Sequence, residues 1–312
     1  MPSDSNHPLF CSSENPRTLV TGADSVCSIN QLGESNPYGN IPLKQRFALL
    51  LGKMRVLILR EFRSWAKSPL FALTFLVNPI IYLFIFGSAF NAAFFQSAGS
   101  SNLAGAPDYF NYIATGIFVS MPMTFATRTG TSIFADRLKG YLERLVVSPI
   151  SRETIVLSKI FAGIILGLIQ AGAILAMTLP LGLESSNLSF ASIVLLIASV
   201  SMLSYGFSSV FLIVSIRIKR WTTQQLVLSL ISSPIIFLSN VFYPISRIPV
   251  LIRGLASINP LTYATNITRE IFFQGALTLT GSLVFNLSVL VVFVGATTVA
   301  LVITSRTWLV LD

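Results

Sequence analysis

Four stretches of this chain, residues 160–183, 185–216, 221–246 and 271–305, contain no Asp, Glu, Lys or Arg. Each is longer than the roughly 20 apolar residues that carry a helix across a bilayer. In lipid a backbone must satisfy its own hydrogen bonds, and a helix does so without help. The chain as a whole is 11% charged, against about a quarter in soluble domains, and its mean hydropathy is +0.74. Together these features predict an all-α polytopic membrane protein.

Six spans are expected, at roughly 70–90, 109–127, 155–183, 190–216, 226–243 and 283–304, with Asn78-Pro79 kinking the first. The proposed organisation is a disordered cytoplasmic tail over 1–42, rich in Ser, Asn, Pro and Gly. A helix over 43–67, a six-span domain over 68–306 and a short cytoplasmic C-terminus over 307–312 follow. The tail lacks the basic-then-apolar order of a secretory signal. Over 43–67, Arg46, Lys53, Arg60 and Lys67 recur every seven residues, and Trp65 joins an apolar face with Phe47, Leu50, Leu51, Met54, Ile58 and Phe62. That pattern reads as an amphipathic interface helix, lying on the lipid surface or packed on the protein's own spans.

The basic residues test this topology. Eighteen of the 21 Lys and Arg fall in alternate non-spanning segments that include the N-terminal region, the connection between the second and third spans, and the C-terminus. Lys and Arg mark the cytoplasmic side, so both termini are expected there, in a multi-pass protein of the plasma (inner) membrane. An odd number of spans would destroy the alternation. The net charge of +9 is explained in this way by the lipid bilayer as partner, and nucleic acid is not expected.

The central spans hold no ionisable group at mid-depth, which argues against a proton-driven carrier and against a membrane-embedded enzyme. Cys11 and Cys27 form no paired motif, and His7 is the sole histidine. No metal site, catalytic residue or cofactor site is expected in the chain.

Between the second and third spans, Phe134, Leu138, Leu142, Leu145 and Val146 recur at helical spacing, with Asp136, Arg137, Lys139, Glu143 and Arg144 on the remaining surface. Pro149 disfavours helix at Ser148, and Ser151 is placed to cap a new helix. The expectation is helix, elbow, helix on the cytoplasmic side.

The residues Gly140, Leu142-Glu143-Arg144-Leu145 and Ser148-Pro149-Ile150-Ser151-Arg152 resemble the cytoplasmic signature of ABC-2 type transporter permeases, the membrane subunits of type-2 ABC exporters. A second block is similar to the pattern of the same family near its fifth span: Leu238-Ser239-Asn240, Phe242-Tyr243-Pro244, Pro249, Asn259-Pro260-Leu261-Thr262-Tyr263 and Arg269. Asn240 stands where the family often has Gly. The likeness extends over about residues 43–306.

The resemblance implies six spans per subunit and a dimer with a second permease subunit, homo- or heteromeric. It also implies a separate ABC ATPase subunit that carries ATP and Mg. The interface helix, with Arg46, Lys53, Arg60, Trp65 and Lys67, and the elbow, with Gly140, Leu142, Glu143, Arg144, Leu145, Pro149, Ser151 and Arg152, are then the ATPase-coupling surfaces. The block with Pro244, Pro249, Asn259, Pro260, Tyr263 and Arg269 becomes an outer re-entrant segment between the fifth and sixth spans. The ATPase is not in this chain: the sole Gly-Lys pair, Gly52-Lys53, is followed by Met54, and Phe47 stands where a Walker A loop needs its first Gly. The chain is therefore expected to be a transport subunit and not an enzyme.

Two readings stay open for several residues. Glu143, Arg144 and Arg152 are docking residues or a solvated helix face. Phe75, Asn78, Tyr82, Phe118 and Phe125 line a substrate path or pack against neighbouring spans. For the cargo, the expectation is a hydrophobic drug or lipid-like molecule moved outward. A lipid-linked polysaccharide, or an uncoupled channel or scaffold, are the alternatives.

Overall fold

The structure is a computed structural model that describes residues 43–67, 73, 75, 77–87, 104–141, 152–184, 188–245, 249–274 and 281–307. The expected tail over 1–42, most of the elbow (Leu142, Glu143, Arg144, Leu145, Pro149 and Ser151) and residues 308–312 lie outside the described residues, as do the side chains of Arg46 and Arg152. Of Met1–Leu49, the described part is the opening of the first helix; Leu50–Asp312 is a separate unit with a core of its own.

The described residues are mostly helical and contain no strand. In chain order they form α1 (Leu43–Ala66), α2 (Val77–Gly87), α3 (Tyr109–Ser120), α4 (Met123–Leu138), α5 (Arg152–Thr178), α6 (Phe190–Arg217), α7 (Trp221–Phe237), α8 (Val250–Ile258), α9 (Pro260–Gln274) and α10 (Gly281–Thr307). Among the described residues, three segments are long and apolar enough to cross a membrane: Glu153–Thr178 in α5, Phe190–Arg217 in α6 and Gly281–Ser305 in α10. They coincide with the expected third, fourth and sixth spans.

The expected second span, roughly 109–127, is built differently. It is two helices, α3 and α4, broken at Met121-Pro122 and running on to Leu138. Pro122 has no N–H to donate to the turn before it. Thr124 repairs the break: its backbone N–H and its Oγ1 both donate to the Met121 carbonyl, at 2.9 and 2.8 Å. At the far end, Asp108 caps α3 by accepting the Asn111 N–H at 2.7 Å.

The far end of α4 also corrects the sequence. Apolar periodicity carried a helix from Phe134 through Val146, to be stopped by Pro149. The helix instead stops at Leu138, because Gly140 adopts φ +61°. Its N–H reaches the Arg137 carbonyl at 3.0 Å, and the Lys139 N–H reaches Ala135 at 3.2 Å. A left-handed glycine of this kind ends a helix by satisfying its last carbonyls. A turn at Lys139-Gly140 thus interrupts the expected helix before Tyr141, which is helical again, and the expected break at Pro149 lies outside the described residues.

α6 is the hub, packed against α4, α5, α7, α9 and α10. Close approach is what small residues supply in membrane bundles. A Cβ on Gly206 of α6 would lie 2.2 Å from the Phe293 ring of α10, and one on Gly130 of α4 would lie 2.8 Å from the Phe211 carbonyl of α6. The principal core lies around α3, α6 and α9, with Tyr109, Ile113, Ile117, Phe211, Ile267 and Phe272 buried in it.

The two ends of the bundle differ chemically. At one, buried Asn111 joins Asp108 to the turn after α5, donating to the Gly182 carbonyl at 3.4 Å and accepting the Glu184 N–H at 2.8 Å. The other gathers the charges of α1, α4 and α5.

Candidate functional site

α1 places Arg60 and Glu61 side by side. α4 brings Ser132 and Asp136 to the same face, one turn apart, and α5 carries Lys159 two turns in from its start at Arg152, where its long apolar run begins. The four charges close into a ring. Arg60 donates through Nη2 to Asp136 Oδ2 at 2.6 Å and to Glu61 Oε1 at 3.0 Å. Lys159 Nζ lies 2.7 Å from each of the same two carboxylate oxygens and donates to Ser132 Oγ at 3.0 Å. Each carboxylate is thus held by two cations, and each cation by two carboxylates.

Lys159 is 3% exposed, so its ammonium depends on these partners. Removing one member of a buried pair leaves an uncompensated charge, at a cost of about 3–5 kcal/mol. Burial disfavours the charged form of Arg60, but hydrogen bonding and attraction to Asp136, then to Glu61, outweigh it, and the guanidinium is held above its ordinary range. Its other face covers the Tyr141 ring at 4.0 Å.

An apolar seam continues from the ring into the bundle. Trp65 of α1 meets Phe75 edge-on at 5.7 Å, and Phe75 meets Phe125 of α4 at 5.8 Å. Leu57 packs on Ile155. Leu51, Leu59 and Phe62 of α1 remain exposed, as does Lys67, whereas Lys53 is half-buried. Of the residues proposed for a substrate path, Phe75, Phe118 and Phe125 are buried within the chain, and Tyr82 stacks on Phe86 at 5.8 Å and approaches Phe242 at 5.9 Å. Asn78 is exposed.

The second sequence block forms a hydrogen-bonded knot. Asn259 ends α8 and begins α9: its Oδ1 accepts the Leu261 N–H at 3.0 Å and its backbone carbonyl accepts the Thr262 N–H at 3.0 Å. Pro260 takes the first helical position, where a missing N–H costs nothing. Asn259 Nδ2 also donates to the Ile235 carbonyl at 2.6 Å, fixing the end of α7. Pro249 opens α8, accepting from Ile252 and Arg253 at 3.0 Å. Tyr263 donates to the Ser257 carbonyl.

Between α7 and α8 the chain is irregular through Pro244, and three neighbours satisfy its carbonyls. Arg269, 1% exposed, donates through Nη2 to Asn240 at 2.9 Å, Tyr112 at 3.1 Å and Val241 at 3.3 Å. Its guanidinium lies 3.5 Å from the centre of the Tyr112 ring. Tyr112 and Tyr109 donate their hydroxyls to Asn240 and Phe242 at 2.8 and 2.7 Å. Glu270, the neighbour of Arg269, accepts from Ser282 at 2.6 Å.

The structure therefore brings Arg60 and Trp65 to one site and Asn259, Pro260 and Arg269 to another. Sequence reading did not single out Glu61, Asp136 and Lys159 as partners of Arg60. The available signal was Lys159 itself, a cation about two turns inside a mostly apolar helix, which demands a counter-charge.

Known proteins give the arrangement a family. Residues 53–273 match the family model described as ABC-2 type transporter. The chain is 24% identical over 249 residues to a protein of Cyanophora paradoxa named as transport permease ycf38, covering 80% of this chain and 83% of that one. It is 26% identical over 210 residues to the inner membrane transport permease YadH of Escherichia coli K12, covering 65% and 75%. It is 30% identical over 150 residues to a protein of the same organism named as multidrug ABC transporter permease YbhR, covering 47% of this chain and 39% of that one. With the family model matched over more than half its length, the chain belongs to the ABC-2 type transporter family, as a membrane permease.

Proposed function

We propose that this chain is the membrane half of an ATP-driven exporter, working as a pair of permease subunits with a separate ATPase. The cargo is a hydrophobic drug or a lipid-like molecule, moved outward across the plasma membrane. The observation that carries this reading is the charge ring, which ties α1, the end of α4 and the start of α5 into one lever. The signature segment around Glu143, Arg144 and Arg152 connects α4 to α5, so a partner pressing there would move all three helices together. ATP and Mg act on the partner; this chain's part is to receive the motion.

Six crossings follow if α2, the α3–α4 pair and α7 span alongside the three long helices. Both termini, α1 and the charge ring then share the cytoplasmic side, with the exposed apolar residues of α1 resting in the lipid surface. α8 and α9 form the outer re-entrant segment.

Support for a pathway between two subunits comes from α7. This helix buries only Gln224 and Leu228 and exposes Thr222, Thr223, Gln225, Ser229 and Ser233. Polar groups on a spanning helix face protein or water in preference to lipid. The multidrug name of one relative favours hydrophobic drugs as the first cargo to try.

The test is reconstitution of the chain with its candidate ATPase in proteoliposomes, with a panel of drugs and glycolipids. ATP-dependent movement of a drug supports the reading; movement of glycolipids alone would replace the cargo. Leakage that ignores ATP would mean an uncoupled channel. For docking, Glu143→Ala with Arg144→Ala should reduce ATPase capture, and unchanged capture would remove those residues from the interface.

A further inference from the structure

Two turns of α4 serve two different partners. Ser132 and Asp136 share one face, and Gly130 and Phe134 share the roughly opposite one, because two residues turn a helix by about 200°. The first face belongs to the charge ring: Ser132 accepts from Lys159, and Asp136 is bonded to Arg60 and Lys159. The second face holds the start of α7. The ring of Trp221 lies tilted on the ring of Phe134, with centroids 5.8 Å apart. Gln224, fully buried, donates through Nε2 to the Gly130 carbonyl at 3.1 Å.

On α7, Trp221, Gln224 and Leu228 stand at i, i+3 and i+7, which makes them one stripe. Leu228 enters the principal core, and Ile231 and Ile235 lean on it further along. The chief neighbours of α7 are α4 and α6. A methionine would fill the place of Gln224 with no amide to desolvate. What the amide adds is register, since a hydrogen bond holds at one carbonyl whereas an apolar contact can slide.

We propose that Gln224 and Trp221 are positioning residues that keep the start of α7 in register with α4, so that a displacement of the charge ring reaches the polar face of α7. The inference rests on the reading of that face as a wall of the export path. α4 is the bar between the two: Gly130 and Asp136 are about 9 Å apart along its axis, too short a stretch of intact helix to absorb a displacement by bending. A lever built on α1, α4 and α5 then moves a helix that it does not itself contain.

The coupling is measured on the full chain without any ATPase. Cys11→Ser and Cys27→Ser remove the native thiols. Ser229→Cys on α7 and Ser288→Cys on α10, both exposed, then take spin labels. In nanodiscs, with labelled chain diluted in unlabelled chain, double electron–electron resonance gives the distance within one chain. Arg60→Gln loosens the ring while Lys159 keeps both carboxylates. It should shift that distance by about 1–2 Å, the size of helix displacements in switching proteins. With Gln224→Met, equal in length but without the donor, the same loosening should leave the distance where it was. Trp221→Ala should reduce the shift and Trp221→Phe should retain it. Gln225→Met, on the exposed side of α7, should retain it in full.

A second readout separates coupling from mere support. With the candidate ATPase in proteoliposomes, Gln224→Met should hydrolyse ATP at the unaltered rate and move cargo about fivefold less. A residue that only stabilised the fold would lower both together. An undiminished shift in folded Gln224→Met protein, or no shift on loosening the ring while Gln224 is present, would overturn the proposal. If Gln224→Met does not fold, Trp221→Ala decides on the same readouts, since that side chain is exposed. Absence of ATP-driven transport by the unaltered chain would overturn the export reading instead, and the distance measurement would still report whether the ring and α7 move together.

Discussion

Lys159 Nζ sits 2.7 Å from Asp136 Oδ2, across the gap between α5 and α4, and equally far from Glu61 Oε1 on α1. One ammonium therefore joins three helices. Its removal should be felt as destabilisation of the whole bundle end and not of one pair. Lys159→Met is expected to lower stability by about 3–5 kcal/mol. Asp136→Asn should cost less in the Lys159→Met background than alone, because the orphaned carboxylate is then gone. A double-mutant cycle on thermal unfolding in detergent measures that coupling, and strictly additive losses would show that the ring is not a unit.

Gly140 ends α4 with φ +61°, and a Cβ there would meet nothing within 4 Å. The cost of Gly140→Ala is thus conformational alone, about 1–2 kcal/mol. Gly140→Asn should cost clearly less, since Asn visits this region more readily. Thermal midpoints of the two variants check the order. Equal midpoints would mean that the helix simply runs on past residue 140.

Arg269 answers three carbonyls with one guanidinium nitrogen while its plane covers Tyr112. A lysine has no plane to stack, so Arg269→Lys is not conservative here. It should destabilise the protein by at least about 2 kcal/mol. Tyr112→Phe, which removes the bond to Asn240 and keeps the ring against Arg269, should cost about 1 kcal/mol. The measurement is again thermal unfolding, with yield of folded protein as a second readout.

Gly206 admits the Phe293 ring, whose Cε1 would lie 2.2 Å from an added Cβ. Gly206→Ala should destabilise by about 1–3 kcal/mol through overpacking. Phe293→Leu should restore part of that loss in combination while being unfavourable alone. Absence of rescue would place the strain elsewhere in the contact of α6 with α10.

The parts of this fold that a sequence displays are those set by local composition. The long apolar runs of α5, α6 and α10 read directly, because each is uninterrupted and ends at a charge. Asn259-Pro260 entered only through the family resemblance, although a capping side chain followed by a first-turn proline is a local signal that a sequence displays. What could not be read depended on residues far apart in the chain. Glu61, Asp136 and Lys159 look like ordinary interfacial charges until three helices converge. Arg269 stood in the sequence only as the closing residue of the second block; its partners are the carbonyls of residues 112, 240 and 241, far away in the chain. The stop at Gly140 was masked by an apolar repeat that continued past it, because periodicity reports which face is buried and not which residue has left-handed backbone.

α7 is fastened at two points. Gln224 donates to the Gly130 carbonyl at 3.1 Å near its start, and Asn259 holds the Ile235 carbonyl near its finish. Between these anchors only Leu228 is sequestered by the rest of the chain. Such a helix resembles a string tied at both pegs: shifting its middle breaks fewer polar bonds than shifting either end. Any gate built on it would swing at the waist and stay still at the ends.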